Sequence, residues 1–349
     1  MLKSPKNLGV IHFIGIGGIG MSGIAEILFQ SGYNVQGSDI SNSNNTIRLR
    51  KIGIKIFIGQ KKSNIINAKI VVVSTAISEI NKEYIAAKKM FLPIVHRAEM
   101  LGELMRLKQS IAIAGTHGKT TTTSLIAKMI EENGMDPTII NGGIISSLDS
   151  NAKLGNGEWM VVEADESDGS FAKLNPTVAI ITNIDLEHLD YHKSEENLEK
   201  AFFQFVSSIP FYGFVCLCID HPRTQKLISK LQNKKVITYG LSANADIRAT
   251  NISYKDNKMS FLLNISNLKE HNNKNYKIEF SMIGLHNIQN ALATIAVGIE
   301  LKIPITKIKK TLKTFTGIER RFQKVGKFRD TCIIDAVSYT HLRAHETLI

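Results

Sequence analysis

The sequence Gly115-Thr116-His117-Gly118-Lys119-Thr120-Thr121-Thr122 follows an apolar run at residues 111–114 and leads into a helix-like segment at residues 120–132. In such a strand–loop–helix unit, backbone amides surround phosphate oxygens, the lysine neutralises them, and the threonine hydroxyl reaches Mg²⁺. The common eight-residue loop has glycine where this chain has Ile113, so the match is to a shorter Gly-x-x-Gly-Lys-Thr form. The candidate nucleotide-binding residues are Gly115, Thr116, His117, Gly118, Lys119, Thr120 and Thr121.

A second glycine loop lies near the N-terminus, in His12-Phe13-Ile14-Gly15-Ile16-Gly17-Gly18-Ile19-Gly20-Met21-Ser22-Gly23. Gly15, Gly17 and Gly20 fit Gly-x-Gly-x-x-Gly, between a strand-like segment at 10–14 and a helix-like segment at 21–30. Such a loop lets amides and a helix N-terminus approach a diphosphate. Asp39 follows Gly15 by 24 residues, near the usual place of a ribose-binding acid. A tight turn without a ligand is the alternative, and the pattern alone does not distinguish NAD from a UDP-sugar.

Acidic residues and a histidine follow two further strand-like segments, at residues 159–162 and 178–181. Ligands collect at strand ends in α/β sheets, and carboxylates there suit Mg²⁺. Glu163 is nearest to the first strand end and is the best candidate ligand, whereas Asp165 and Glu166, taken singly, are interpreted as solvated loop acids. His188 follows the second strand and is a candidate for a second metal ion or for a phosphate contact.

Strand-like and helix-like segments alternate over the first hundred residues, which predicts a parallel sheet covered by helices. A helix from residue 97 to residue 107 closes this first unit, and a second unit opens at residue 110. Between residues 246 and 282 the pattern becomes alternating and polar, which predicts antiparallel strands. We expect an α/β protein with a Rossmann-like domain at 1–107, an ATP-binding domain at 108–322 and the start of a further domain at 323–349.

The composition fits a globular protein, with 43% apolar and 21% charged residues. The net charge of +12 favours anionic partners, but no dense basic block stands out and aromatic residues make up only 7%, which argues against a nucleic-acid groove. The spacing of Cys216, Cys218 and Cys332 indicates neither a disulfide framework nor a zinc site. Glycines interrupt the apolar N-terminal run, so we predict no membrane segment and a cytoplasmic location.

Six motifs in order resemble the Mur ligase family of ATP-dependent, amide-bond-forming enzymes, over residues 8 to 335. Besides the two glycine loops, they are Glu163-Ala164-Asp165-Glu166-Ser167-Asp168, the segment from Asn183 to Asp190, Gly284-Leu285-His286-Asn287-Ile288-Gln289-Asn290-Ala291, and Phe315-Thr316-Gly317-Ile318-Glu319-Arg320-Arg321-Phe322. The resemblance implies that the first domain binds the UDP part of a nucleotide sugar and that the second binds ATP with Mg²⁺. The N-terminal run is most similar to members that join L-alanine to UDP-N-acetylmuramate in peptidoglycan synthesis.

The resemblance also implies roles for individual residues. Lys119 would contact the ATP phosphates, Thr120 and Glu163 would support Mg²⁺, and His188 would support a second Mg²⁺, so that Lys119, Glu163 and His188 form the catalytic set. Asn287 and Asn290 would face the adenine, and Arg320 would lie near the phosphates. The implied positions for the UDP-sugar are Gly15, Gly17, Gly18, Gly20, Ser38, Asp39 and Ser74.

Three alternatives stay open at this point. One is a related ligase that adds a whole tripeptide, the second is a nicotinamide-dependent dehydrogenase, and the third is a nucleotide-binding module without activity. The segment Ala336-Val337-Ser338-Tyr339-Thr340-His341-Leu342-Arg343-Ala344-His345-Glu346-Thr347-Leu348-Ile349 lacks the motif that the family has after a strand like the one ending at Asp335. We interpret this tail as non-native sequence, or else as a natural truncation, with the third domain mostly missing. We therefore expect substrate binding but poor ligation or none.

Overall fold

The computed structural model describes residues 8–145, 150–187, 189–255, 258–268, 274–315, 317, 323–328 and 331–335. Its described strands form two large sheets and one two-stranded sheet, covered by helices. This arrangement confirms the predicted α/β fold class.

The N-terminal sheet is wholly parallel, as predicted. Its strands are β1 (Val10–Ile14), β2 (Asn34–Asp39), β3 (Lys55–Ile58), β4 (Ala68–Val73) and β5 (Ile94–His96). They lie in the order β3-β2-β1-β4-β5, so the connections run in opposite directions on the two sides of β1. The glycine loop that follows β1 therefore lies at the point of such a sheet where ligands bind.

Four helices belong to the N-terminal sheet: α1 (Ile19–Gln30), α2 (Asn44–Lys51), α3 (Lys82–Lys89) and α4 (Arg97–Met105). Ser43 caps α2 by accepting from the Thr46 amide at 3.3 Å, and Asn81 caps α3 by accepting from the Glu83 amide at 2.8 Å. Helix α1 begins after Gly18 with no side-chain capping hydrogen bond. Its first amides therefore face the glycine loop without a side-chain acceptor.

The second sheet is larger and mixed. Its strands are β6 (Gln109–Ala114), β7 (Thr138–Ile145), β8 (Ser150–Lys153), β9 (Trp159–Glu163), β10 (Val178–Ile181), β11 (Phe214–Cys218), β12 (Lys235–Gly240), β13 (Ile247–Lys255), β14 (Lys258–Ile265) and β15 (Lys274–Phe280). Their order is β15-β14-β13-β12-β11-β10-β6-β9-β7-β8. Strands β9, β6, β10, β11 and β12 run parallel to one another, whereas β13, β14 and β15 pair antiparallel, which confirms the prediction for residues 246–282.

The burial of the strands follows their place in the second sheet. Strands β10 and β11 are buried at every residue, because helices cover both faces of the parallel part. Strand β14 instead alternates between buried and partly exposed residues, as a strand with one covered face does. The continuous apolar runs of the sequence thus mark the parallel part of the sheet. The loops that follow β6 and β10 lie at the end of this part.

The helices of the second unit are α5 (Lys119–Glu132), α6 (Leu189–His192), α7 (Glu195–Ser207), α8 (Pro222–Ile228), α9 (Leu285–Glu300) and α10 (Ile305–Thr314). Helices α5 and α9 pack against each other over the sheet. The two-stranded sheet consists of β16 (Gln323–Phe328) and β17 (Thr331–Asp335). Helix α4 ends four residues before β6 begins, close to the predicted boundary at residue 107.

Polar side chains join the two units where α1 meets β8. Arg48 of α2 pairs with the buried Glu26 of α1, and it also donates to Ser150 Oγ at 2.6 Å and to Asn151 Oδ1 at 3.0 Å. The Asn151 amide donates to Ile19 O at 2.6 Å. The contact with Ile19 ties the first turn of α1 to β8, and Arg48 supplies the buried Glu26 carboxylate with its counter-ion.

The thiols of Cys216 and Cys218 are buried in β11 and unpaired with each other. Burial raises the pKa of the Cys218 thiol to about 12, so it stays protonated at neutral pH. The side chain of Cys332 lies outside the described residues. Within the described part of the chain, no helix combines the length and the apolar character that crossing a membrane requires.

Candidate functional site

The loop between β6 and α5 has a conformation that glycine alone accommodates at two positions. Gly115 has φ +131° and Gly118 has φ +83°, in the region that residues with a Cβ rarely adopt. A Cβ at Gly118 would lie 2.5 Å from Asn290 Oδ1, and a Cβ at Gly115 would collide with the Thr182 hydroxyl. The backbone therefore passes close to its neighbours at both glycines.

The segment after β10 holds this loop in place. Thr182 Oγ1 donates to His117 O at 2.6 Å, and the His117 amide donates to Asn183 Oδ1 at 2.9 Å. The Asp185 amide donates to Thr116 Oγ1 at 2.9 Å. The carboxyl ends of β6 and β10 are thus tied together, as expected for adjacent parallel strands that share a site.

Lys119 lies at the first position of α5 and pairs with Glu166. Its Nζ lies 2.7 Å from Glu166 Oε2, and it donates to Gly115 O at 2.7 Å and to Thr116 O at 3.2 Å. Glu166 is only 2% exposed, and burial raises its pKa to about 7 although Lys119 opposes that rise. The interpretation of Glu166 as a solvated loop acid is wrong, because the loop after β9 folds back over the glycine loop and buries its side chain.

Glu163 ends β9 and lies over the backbone of β7. Its Oε2 accepts from the Gly142 amide at 2.8 Å, and a Cβ at Gly142 would collide with the carboxylate. Thr120, the second residue of α5, is 3% exposed. A carboxylate and a hydroxyl are hard oxygen donors of the kind that Mg²⁺ takes together with water, so both residue types fit that ion. In the ranges that the structure describes, no group of three His, Cys, Asp or Glu side chains forms a metal-binding cluster.

His188 and Arg320, the other predicted metal and phosphate residues, lie outside the described residues. The proposed second metal position and the phosphate contact from the end of the central domain therefore stay predictions.

Asn287 and Asn290 are buried behind the glycine loop, at 2% and 5% exposure. Asn290 Oδ1 accepts from Thr122 Oγ1 at 3.1 Å, and its Nδ2 donates to Asn287 Oδ1 at 3.2 Å. Asn287 Nδ2 donates to Ile283 O at 2.8 Å. Both residues therefore lie next to the glycine loop, and their side chains form hydrogen bonds with each other and with Thr122. A contact of either residue with adenine stays a prediction.

Asp185 joins two histidines that the sequence analysis did not single out as a pair. His117 Nε2 lies 3.2 Å from Asp185 Oδ2, and His221 Nε2 lies 2.8 Å from Asp185 Oδ1. His117 follows β6, Asp185 follows β10 and His221 follows β11, so three neighbouring strand ends contribute to one chain of polar contacts. The position of His221 three residues after the end of the buried strand β11 was the available signal.

The N-terminal glycine loop is held by the end of β2. The Gly15 amide donates to Ser38 O at 2.8 Å, and the Gly17 amide donates to Asp39 Oδ2 at 2.8 Å. Gly18 is exposed and Gly20 is half-buried at the start of α1. The structure thus brings the predicted residues Gly15 to Gly20 and Asp39 together, and Ser74 lies at the end of β4, one strand away.

The Ser38 side chain is turned away from this loop into a buried polar cluster. Its hydroxyl donates to Glu83 Oε2 at 2.5 Å, and His12 Nε2 lies 3.4 Å from the same oxygen. Asn64 Nδ2 donates to Glu83 Oε1 at 2.6 Å. All of Ser38, His12 and Glu83 are fully buried, so any contact of Ser38 with a substrate would have to use its backbone.

Arg97, the first residue of α4, lies between the two units and was missed as a site residue. Its Nη2 lies 3.3 Å from Asp165 Oδ2 and 3.7 Å from Asp168 Oδ2, and its guanidinium packs on Gly20. Asp165 is therefore an ion-pair partner, although its side chain is 42% exposed. The available signal was a basic residue directly after β5, at the same edge of the sheet as the glycine loop.

Two glycine loops that are linked to a shared acidic segment define a protein of two joined α/β units with the features of a nucleotide-binding enzyme. Profile comparison agrees: "Mur ligase middle domain" matches residues 113–298, and "Mur ligase family, catalytic domain" matches residues 10–109. The chain belongs to the Mur ligase family.

Within that family, similar curated proteins are UDP-N-acetylmuramate–L-alanine ligases. The enzyme from Acidiphilium cryptum is 52% identical over 336 residues, which cover 96% of this chain and 70% of that protein. The enzyme from Rhodospirillum rubrum is 50% identical, with 96% of this chain and 70% of that protein covered.

Solved structures of two kinds of ligase are similar to this chain. A UDP-N-acetylmuramate-alanine ligase from Thermotoga maritima has a TM-score of 0.83 at 29% identity, covering 95% of this chain and 75% of that one. A murein peptide ligase from Psychrobacter arcticus has a TM-score of 0.80 at 25% identity, covering 94% of this chain and 72% of that one.

Proposed function

We propose that this chain catalyses, or forms the substrate-binding part of an enzyme that catalyses, the ATP-dependent joining of L-alanine to UDP-N-acetylmuramate in peptidoglycan synthesis. The observation that carries the proposal is the pair of glycine loops, one after a parallel strand within each large sheet, which are both linked to the segment from Glu163 to Asp168. The identity of about one half to L-alanine ligases over 96% of the chain supports this choice of substrates.

The proposed reaction has two steps. An oxygen of the lactyl carboxylate attacks the γ-phosphorus of ATP, the bond to the bridging oxygen breaks, and ADP leaves an acyl phosphate. The amine of L-alanine then attacks the acyl carbon and gives up a proton to solvent. The bond between the acyl carbon and the phosphate oxygen breaks, so that inorganic phosphate leaves and the amide remains. Such a transfer depends on positioning and on neutralising charge, which suits a site built from amides, a lysine and acids.

We assign Gly15 to Gly20 and Asp39 to the nucleotide sugar, and the loop from Gly115 to Thr121 to the ATP phosphates. Thr120 and Glu163, with His188, would hold Mg²⁺, which would neutralise charge on the β- and γ-phosphates when bound. Asn287, Asn290 and Arg320 would complete the ATP site. We place the sugar domain at 1–107, the ATP domain at 108–322 and the start of another domain at 323–349. The separate pairing of β16 with β17 supports the last division. The use of ATP and a nucleotide sugar supports a cytoplasmic reaction.

Mass spectrometry of the product tests the proposal. The chain is incubated with ATP, Mg²⁺ and UDP-N-acetylmuramate, and either L-alanine or the tripeptide that starts with L-alanine is offered. The amide product that forms should contain L-alanine rather than the tripeptide. Preference for the tripeptide would favour the murein peptide ligases instead. In a separate titration, binding of NADH without binding of UDP-N-acetylmuramate would contradict the proposal.

A further inference from the structure

Three acceptors of this chain use all three N–H groups of the Lys119 ammonium. Nζ donates to Gly115 O at 2.7 Å, to Thr116 O at 3.2 Å and to Glu166 Oε1 at 2.9 Å. A lysine ammonium carries three donors and no more. A phosphate oxygen can therefore receive a hydrogen bond from Lys119 only if one of these acceptors gives up its own.

Of the three acceptors, Glu166 is the one that an incoming phosphate would repel. The two carbonyl oxygens are neutral, whereas an ionised Glu166 and a phosphate would present two negative charges to one ammonium. Glu166 is 2% exposed, so water screens little of that repulsion. The contact between Lys119 and Glu166 is the one that phosphate binding weakens most.

No other described cation takes the place of Lys119 beside the Glu166 carboxylate. His192 of α6 contacts Glu166 through the backbone, with Nε2 2.9 Å from Glu166 O. Asp165, in the same loop, adds negative charge near the Glu166 carboxylate. Arg97 forms its ion pair with Asp165 and not with Glu166. A buried carboxylate that loses its counter-ion beside another acid is strongly destabilised in the charged form and takes a proton.

We propose that ATP binding at the loop of Lys119 drives Glu166 to take a proton from solvent onto a carboxylate oxygen. Glu166 is then a positioning residue that holds the ammonium while charged and releases it to the phosphates once neutral. The inference rests on the proposed ATP site. Burial already raises the pKa of Glu166 to about 7, so the uptake falls in the neutral pH range.

Calorimetric titration with ATP in excess Mg²⁺ measures this coupling. Titrations at pH 7 in several buffers of different ionisation enthalpy give the number of protons taken up. With the group about half protonated before binding and fully protonated after, we expect an uptake of about half a proton by Glu166. Proton exchange by ATP itself is common to all variants and cancels in the comparison.

The variant Glu166→Gln removes the titrating group and keeps its size. It should bind ATP and show about half a proton less uptake than the native chain, whereas Glu196→Gln, at an exposed position of α7, should show the native value. Equal uptake in the native chain and in Glu166→Gln would overturn the proposal. The proposal would also be overturned if the native chain bound ATP without proton uptake by Glu166. If the native chain did not bind ATP at all, the proposed ATP site itself would be wrong.

If Glu166→Gln does not fold, infrared difference spectroscopy of the native chain tests directly whether a carboxyl group becomes protonated on ATP binding. Addition of ATP should produce the carbonyl band of a protonated carboxyl group and remove carboxylate intensity. A difference spectrum without that band, recorded on a chain saturated with ATP, would contradict the proposal.

Discussion

Arg97 lies 3.3 Å from Asp165 and joins the N-terminal unit to the acidic segment of the second unit. The same guanidinium lies 3.7 Å from Asp168, whose side chain is 7% exposed, and packs on Gly20 of the glycine loop. One residue thus touches the start of the helix assigned to the nucleotide sugar and the loop that carries Glu166. This contact therefore joins the two proposed substrate sites directly, in addition to the contacts of Arg48 and Asn151 between the units.

Arg97→Ala should lower the free energy of unfolding by about 1–3 kcal/mol, because it leaves the buried Asp168 without its cation. Arg106→Ala is the matched control at the end of the same helix, where the side chain is 65% exposed and pairs with Glu103. The control should change stability by no more than about 0.5 kcal/mol. Urea unfolding of both variants measures the difference, and equal losses would show that the contact between the units is unimportant.

Lys119→Ala should weaken ATP binding by at least about tenfold, since charge-assisted hydrogen bonds contribute about 1.5–3 kcal/mol. UDP-N-acetylmuramate binding should be unchanged, because the sugar is assigned to the other unit. Lys128→Ala, on the same helix but paired with Glu132, is the control and should bind both ligands normally. Calorimetry with each ligand separates the effects, and normal ATP affinity in Lys119→Ala would refute the assignment of the loop.

Gly118→Ala should destabilise the protein and abolish ATP binding, because the new Cβ would lie 2.5 Å from Asn290 Oδ1 at a φ of +83°. Gly134→Ala separates strain from collision, since Gly134 has φ +78° but nothing within 4 Å of its Cβ position. The control should lose about 1–2 kcal/mol, the cost of a left-handed backbone, and keep its affinity for ATP. Similar losses of stability and affinity in the two variants would mean that contact with Asn290 does not shape the loop.

The stability of the protein should fall as pH rises from about 4.5 to about 7 through the titration of Glu166. Its pKa is about 7 when folded and 4.5 in the unfolded reference, so the folded state holds the extra proton between these values. The stabilisation is complete below the lower value and is lost as pH passes the higher one, with a total of about 3 kcal/mol. Urea unfolding at pH 5 and pH 8 should show a smaller decline for Glu166→Gln than for the native chain. A native-like decline in the variant would assign the effect to other groups.

Motifs with local geometry were predictable from the sequence. The positions of Gly115, Gly118 and Lys119 follow from a strand, a loop and a helix that are adjacent in the chain, so short-range rules describe them. The same is true of Gly15 to Gly20. Parallel strands were predictable where both faces are buried, because their apolar runs are continuous, as in β10 and β11.

Contacts between distant parts of the chain were not predictable. Whether Glu166 is solvated or buried depends on how the loop after β9 folds over Lys119 of α5, which lies 47 residues earlier in the chain. The role of Arg97 depends on the packing of one unit against the other, and that of Asn290 on the approach of α9 to the glycine loop. A single sequence gives the residue types at these places but not the distances between them.

Calorimetric titration of the chain with UDP-N-acetylmuramate, with NADH as the comparison ligand, is the sharpest test of the nucleotide-sugar site. We expect saturable binding of UDP-N-acetylmuramate at one site and no binding of NADH. Saturable binding of NADH by a folded chain that does not bind UDP-N-acetylmuramate would contradict this assignment.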